Sequence, residues 1–178
     1  ICDQTFNAIS IDGDQSPSDS SIFASTSEKK SDIKKYQKKI KNNFIEVFRE
    51  LAEKLVLDGE GATKLIKIKV KGLSSYAASK KIALKVANSP LVKTAAYGED
   101  PNWGRIVTAA GNAGENEFEM KNLSLKIGEH KVLINGNLNP KYSEAKGKKE
   151  FRKKTINIEI KLGKSKKSAL VMTSDLSP

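Results

Sequence analysis

The sequence predicts an α/β fold, a layered sandwich of helices packed on mixed sheets. Two observations predict it. A long stretch with apolar residues at helical spacing is followed at once by one that alternates apolar and charged residues. These are the periods of a helix with one buried face and of a strand with one buried face. The two periods then keep exchanging to the end of the chain, with glycine, proline and asparagine at the changes. Helices over sheets bury such faces in layers.

In chain order, Thr5 to Asp12 reads as a short strand, with Ile9 and Ile11 on one face and Ala8 and Ser10 on the other. Asp12 to Asp19 is turn-rich and acidic, and Ser18 or Asp19 can cap a short helix after it. Ser25 to Ser31 is a polar connection. Ile33, Tyr36, Ile40, Phe44, Val47, Phe48, Leu51 and Leu55 then recur at three- and four-residue spacing, predicting a helix with these residues buried. Ser31 or Asp32 suits its N-cap and Gly59 its stop.

Thr63 to Lys71 is the next strand, with Ile66, Ile68 and Val70 inward and Lys67, Lys69 and Lys71 outward. Ser75 to Asn88 is helical, with Ala78, Ile82, Ala83 and Val86 buried, and Pro90 enforces its stop. Leu91 to Tyr97 is apolar enough for an interior strand. Asp100 then serves as N-cap, with Pro101 at the first position of a helix ending near Gly111 or Gly114. Trp103, Ile106, Val107 and Ala110 form its inner stripe. Leu123 to Ile127 and Lys131 to Ile134 read as a hairpin, Ser143 to Lys153 as a lysine-rich helix. Ile156, Ile158 and Ile160 mark a strand, and Ala169 to Thr173 the last one.

Composition excludes several function classes. At 178 residues the chain suits one domain, residues 1–178, large enough to bury a core. No apolar run approaches the ~20 residues that span a bilayer, so no membrane partner is expected. One cysteine, Cys2, excludes an internal disulfide framework and fits a reducing compartment. The cytoplasm is expected, with an organelle left open. One histidine, His130, with that cysteine cannot build a His/Cys metal site, and it falls in a hairpin turn. The net charge of +11 invites nucleic acid, yet only Arg49, Arg105 and Arg152 are arginines and aromatics are 6%. Base and phosphate readers favour arginine, and single-strand binders interleave aromatics. Lysine coating of a solvated surface accounts better for the charge, and no nucleic-acid partner is expected. Because the chain starts at Ile1 and stops just after a strand, it is expected to be a fragment truncated at both ends.

The residue singled out is Glu60, in Asp58-Gly59-Glu60-Gly61-Ala62-Thr63-Lys64. Gly59 can close the helix in a left-handed conformation and Gly61 can turn the backbone again. A carboxylate between two such turns projects from the end of the sheet. The plainer alternative is a helix C-cap followed by a solvated loop acid.

Four runs in order resemble the ornithine acetyltransferase (glutamate N-acetyltransferase) family of arginine biosynthesis. They are Phe6-Asn7-Ala8-Ile9-Ser10-Ile11-Asp12-Gly13-Asp14, the Asp58–Lys64 run, Ala87-Asn88-Ser89-Pro90-Leu91-Val92-Lys93-Thr94-Ala95, and Gly98-Glu99-Asp100-Pro101-Asn102-Trp103-Gly104-Arg105-Ile106. Thr173-Ser174-Asp175-Leu176 fits the family's last strand. Gln15, Pro17 and Ser18 depart from the family's usual first loop.

The resemblance implies a self-processing, N-terminal-nucleophile type of acyltransferase fold. It implies a precursor that cuts itself before a threonine into α and β chains, which pair into an α2β2 heterotetramer. The freed threonine takes an acetyl group from N-acetylornithine and passes it to glutamate, and some members also use acetyl-CoA. This chain matches the β chain, with the nucleophile upstream of Ile1, so no catalytic residue is assigned within it. Glu60 carries over as a contact to the amino-acid substrate. Asp12, Asp14, Asn102 and Arg105 lie in family runs with substrate contact and structural support both open. Neither cofactor nor metal is called for. A self-processing aminopeptidase or amidase of the same fold is the alternative, and a basic nucleic-acid-binding module a more distant one.

Overall fold

Alternation builds strand β2 (Leu65–Lys71) deep inside a mixed sheet, and the rest of the fold is arranged around it. The computed structural model describes residues 1–14, 16, 18, 20–24, 26 and 33–177. The sheet has seven strands in the order β1-β7-β2-β6-β3-β4-β5. They are β1 (Ile9–Ser10), β3 (Ser124–Ile127), β4 (His130–Ile134), β5 (Asn137–Leu138), β6 (Thr155–Lys161) and β7 (Ser168–Ser174), besides β2. β2 runs parallel to β6 and antiparallel to β7, and the two-residue β1 runs parallel to β7.

Ile66, Ile68 and Val70 bury one face of β2 in a core shared with Ile156, Ile158, Ile160 and Val171. Helix α2 (Tyr76–Ala87) closes that face with Ile82, Ala83 and Val86, and α4 (Trp103–Gly111) adds Ile106 and Ala110. The expected helix over Ser75 to Asn88 is present, with Ser75 accepting from the Ala78 N–H as N-cap and Asn88 as the C-cap. The hairpin, the lysine-rich helix α5 (Glu144–Phe151) and strands β6 and β7 also lie where alternation and periodicity put them.

Helix α1 (Ile33–Leu57) covers the opposite face. Its Glu53 pairs at 2.7 Å with Lys67, which points away from the main core. Ala52 and Val56 seal a smaller cluster with Leu65 and Met172, and Phe6 and Ile9 pack on it. This corrects the expected stripe. Tyr36, Ile40, Val47, Leu51 and Leu55 are exposed, and Phe44 and Phe48 are half-buried against Phe23 and Phe6. A helix of 25 residues runs about 37 Å, against about 23 Å for the seven-residue β7, so only its last turns lie over the sheet. The Ser31 or Asp32 cap lies outside the described residues. No helix among them is long and apolar enough to cross a membrane.

Other expectations also fail. Leu91 to Tyr97 is not a strand but most of helix α3 (Pro90–Tyr97). Pro90 stops α2 and, its missing N–H costing nothing in a first turn, starts α3, with Ser89 capping the Val92 N–H. Val92, Lys93, Ala95 and Ala96 are buried at helical spacing. α4 is capped by Asn102 and not by Asp100, because two tight turns, Asn102 N–H to Asp100 C=O and Trp103 N–H to Pro101 C=O, postpone its start. Thr5 to Ala8 folds into short 3₁₀ turns, leaving β1 only Ile9–Ser10. Residues 20–24 carry no helix.

Two loops touch backbone to backbone where Gly72, at φ +101°, meets Gly163. A Cβ on Gly72 would lie 2.5 Å from the Gly163 nitrogen, whereas one on Gly114, at φ +61°, meets nothing within 4 Å. Both positions carry a left-handed strain of ~1–2 kcal/mol on substitution, but only Gly72 adds a clash. G72A in the full-length protein should therefore melt several degrees below G114A. Equal melting temperatures would disprove the close approach.

Candidate active-site loop

Three sets of contacts fix the loop that carries Glu60. α1 hands over through the Asp58 N–H to Lys54 C=O bond of 2.9 Å, and the Ala62 N–H closes a turn on the Gly59 carbonyl at 3.0 Å. The left-handed residue is Gly61, at φ +71°, and not Gly59 as expected. Gly59 is needed for space: a Cβ there would stand 3.2 Å from both Ile11 Cγ2 and the Val56 carbonyl. Beyond the turn, the Thr63 and Lys64 N–H groups donate to Asp175 Oδ1 at 2.8 and 2.9 Å, and Thr63 Oγ1 donates to Oδ2. Glu60 itself is exposed, and among the described residues its carboxylate has no hydrogen bond or ion pair.

Lys64 joins this loop to the Gly98–Ile106 run. Its buried ammonium donates to the Phe151 carbonyl at 2.7 Å and the Ala96 carbonyl at 3.0 Å, and meets Glu99 Oε1 at 3.4 Å. Glu99 sits at φ 56° and also pairs with Arg152 at 3.3 Å. Lys93 makes a second tie. It donates to the carbonyls of Ile11 and Ser174 at 2.7 and 2.6 Å and to Thr173 Oγ1 at 3.0 Å. Burial pushes the Lys93 ammonium below the usual lysine range, against the pull of Asp175 and Asp12. Sequence reading assigned none of Lys64, Lys93 and Asp175, although all three lie inside the quoted runs.

The residues left open divide by their contacts. Asp12 accepts its own loop's Asp14 N–H at 2.8 Å, a local turn bond. Asn102 caps α4. Arg105 donates to the Leu91 carbonyl at 3.0 Å and so ties α4 to α3. Each of these three contacts is internal to the protein. Gln15 and Pro17, which depart from the family's first loop, lie outside the described residues. His130 reaches Glu150 at 3.7 Å, in the hairpin. Among the described residues no cluster of three His, Cys, Asp or Glu side chains could hold a metal. An apolar groove of about 620 Å³, with Phe6, Phe23, Phe48 and Leu51 in its wall, has Asp58 at its rim, two residues before Glu60.

An exposed carboxylate on a loop pinned at both ends can bind a cationic group without first being stripped of a protein partner. Comparison with known proteins bears on which group. The arginine biosynthesis bifunctional protein ArgJ of Bradyrhizobium diazoefficiens is 41% identical over 183 residues, covering 98% of this chain. That of Methylococcus capsulatus is 35% identical over 178 residues, again covering 98%. The chain spans 44% of the length of these relatives. The crystal structure of the ArgJ protein from Bacillus halodurans superposes with a TM-score of 0.91 at 28% identity, covering 99% of this chain and 84% of that one. The ArgJ family profile matches residues 1–178, and the chain belongs to the ArgJ family.

Proposed function

We propose that this chain is the β-chain part of a glutamate N-acetyltransferase that moves an acetyl group from N-acetylornithine to glutamate. Membership of the ArgJ family supports the reaction class. The observation that carries the role of this chain is Glu60: exposed, without a protein partner among the described residues, and held on a pinned loop. Its carboxylate pairs with the ammonium group of the amino-acid substrate.

The nucleophile is a threonine upstream of Ile1, freed when the precursor cuts itself. Its hydroxyl attacks the acetyl carbonyl of N-acetylornithine, with the freed α-amine taking the proton. The tetrahedral oxyanion collapses, the C–N bond breaks, and ornithine leaves with a proton on its nitrogen. The α-amine of glutamate then attacks the acetyl-threonine ester, and the hydroxyl is restored as N-acetylglutamate departs. An α chain from the same precursor completes the site in an α2β2 assembly. The setting is one that keeps the exposed Cys2 thiol reduced.

E60Q keeps the size of the side chain and removes its charge. In the full-length, self-processed enzyme, loss of one desolvated charge pair, ~2–5 kcal/mol, should lower kcat/KM by roughly 30-fold to several thousandfold. The melting temperature should stay put, because the loop is held by Ala62, Thr63 and Lys64. Parental kinetics would reduce Glu60 to a loop acid.

The basic surface gives a further check. Lys38 and Lys39 on α1 and Lys148, Lys149 and Lys153 near α5 are exposed. Replacing Lys38 and Lys39 by glutamine should leave turnover nearly unchanged, since exposed charges contribute little. Tight, salt-sensitive binding to duplex DNA, lost in that variant, would instead indicate a nucleic-acid surface.

A further inference from the structure

We infer that Asp175 is a positioning residue that holds Glu60 in its substrate-binding place, an inference that rests on the reading of Glu60 given above. Asp175 is buried, with 3% of its surface exposed, at the end of β7. It is separated by 112 residues in sequence from the Thr63 N–H it accepts. One carboxylate takes the N–H groups of two successive residues on Oδ1 and the Thr63 hydroxyl on Oδ2. Two consecutive amides aimed at one oxygen fix the peptide planes on either side of Thr63. The Ala62 to Gly59 turn holds the segment from the Glu60 side.

Further contacts around Asp175 reach the Glu60 loop and α3. Its own N–H donates to the Lys64 carbonyl at 3.3 Å, so β7 and the loop are tied in both directions. Ser177 follows two residues later and stands over the turn: a Cβ on Gly61 would lie 2.7 Å from its hydroxyl. Lys93 grips the residue before Asp175 through the Ser174 carbonyl. A carboxylate that only closed the end of a strand would need none of the Thr63 contacts, because the β2–β7 ladder already pairs Leu65 with Ser174. The surplus bonds fall on the segment that aims Glu60.

The inference is tested by a double-mutant cycle in the full-length, self-processed enzyme, with N-acetylornithine as the varied donor and melting temperature measured alongside. D175N retains an oxygen for the two amides but loses the charge that strengthens those bonds. Hydrogen bonds to charged groups carry about tenfold to hundredfold effects. D175N should therefore raise KM about tenfold or more with kcat held within about threefold. Combined with E60Q it should add less than about twofold, because both changes act through the same contact. Additive losses, or a parental KM in D175N, would overturn the positioning role while leaving Glu60 as the substrate contact. Parental kinetics in E60Q itself would overturn both. If D175N does not fold, Thr63 decides: T63V removes only the Oγ1 to Oδ2 bond and T63S keeps it. A raised KM in T63V with a parental value in T63S supports the inference, and parental values in both overturn it.

Discussion

The antiparallel register of β2 on β7 is the constraint on which the rest of the structure depends. It pairs Leu65 with Ser174 and Val70 with Ala169, and only this register puts Thr63 and Lys64 beside the Asp175 carboxylate. A slip of one residue would turn Ile66, Ile68 and Val70 from the core to the face now occupied by Lys67 and Lys69. The hydrophobic pattern that builds the core and the contacts that aim Glu60 are thus fixed by the same pairing.

Around that pairing, lysine has two unrelated uses. On α1 and α5 it is a coat, in water. Lys64 and Lys93 are buried, and each ammonium is surrounded by backbone carbonyls. A buried ammonium is tolerated only when its donors are satisfied, and donors directed at two other segments make each lysine a tie between them and its own. Lys93 joins the first and last of the quoted runs to the third, and Lys64 joins the second to the fourth. Runs scattered over most of the sequence therefore meet at one end of the sheet.

Much of this was legible in the sequence where a single local cause acts. The alternation in β2 and β6, the apolar spacing of α2 with its stop before Pro90, and the glycine-marked end of α4 each follow from local geometry. So does the choice of Glu60 as an exposed acid between turns. What could not be read depends on distant partners. The apolar stripe of α1 is real, but Ala52 and Val56, small and off the stripe, are what meet the sheet, because the helix outruns it. Leu91 to Tyr97 has the composition of a strand, and the cap at Ser89 with Pro90 in the first turn decides for a helix. Asp175 looked like the tail of a strand, and its partners lie more than a hundred residues away.

That separation has a consequence for how the chain is made. The residues Thr63 to Asp175 are joined by bonds spanning 112 positions, and at ~5–20 residues per second about 6–22 s pass between synthesis of the loop and of its anchor. Until then the loop has its helix on one side and, on the other, only the Lys64 contacts and the β2–β6 pairing. The long closure must also be completed before any of its contacts can repay it. A chain that stalls before β7 accordingly lacks the Asp175 anchor of the Glu60 loop.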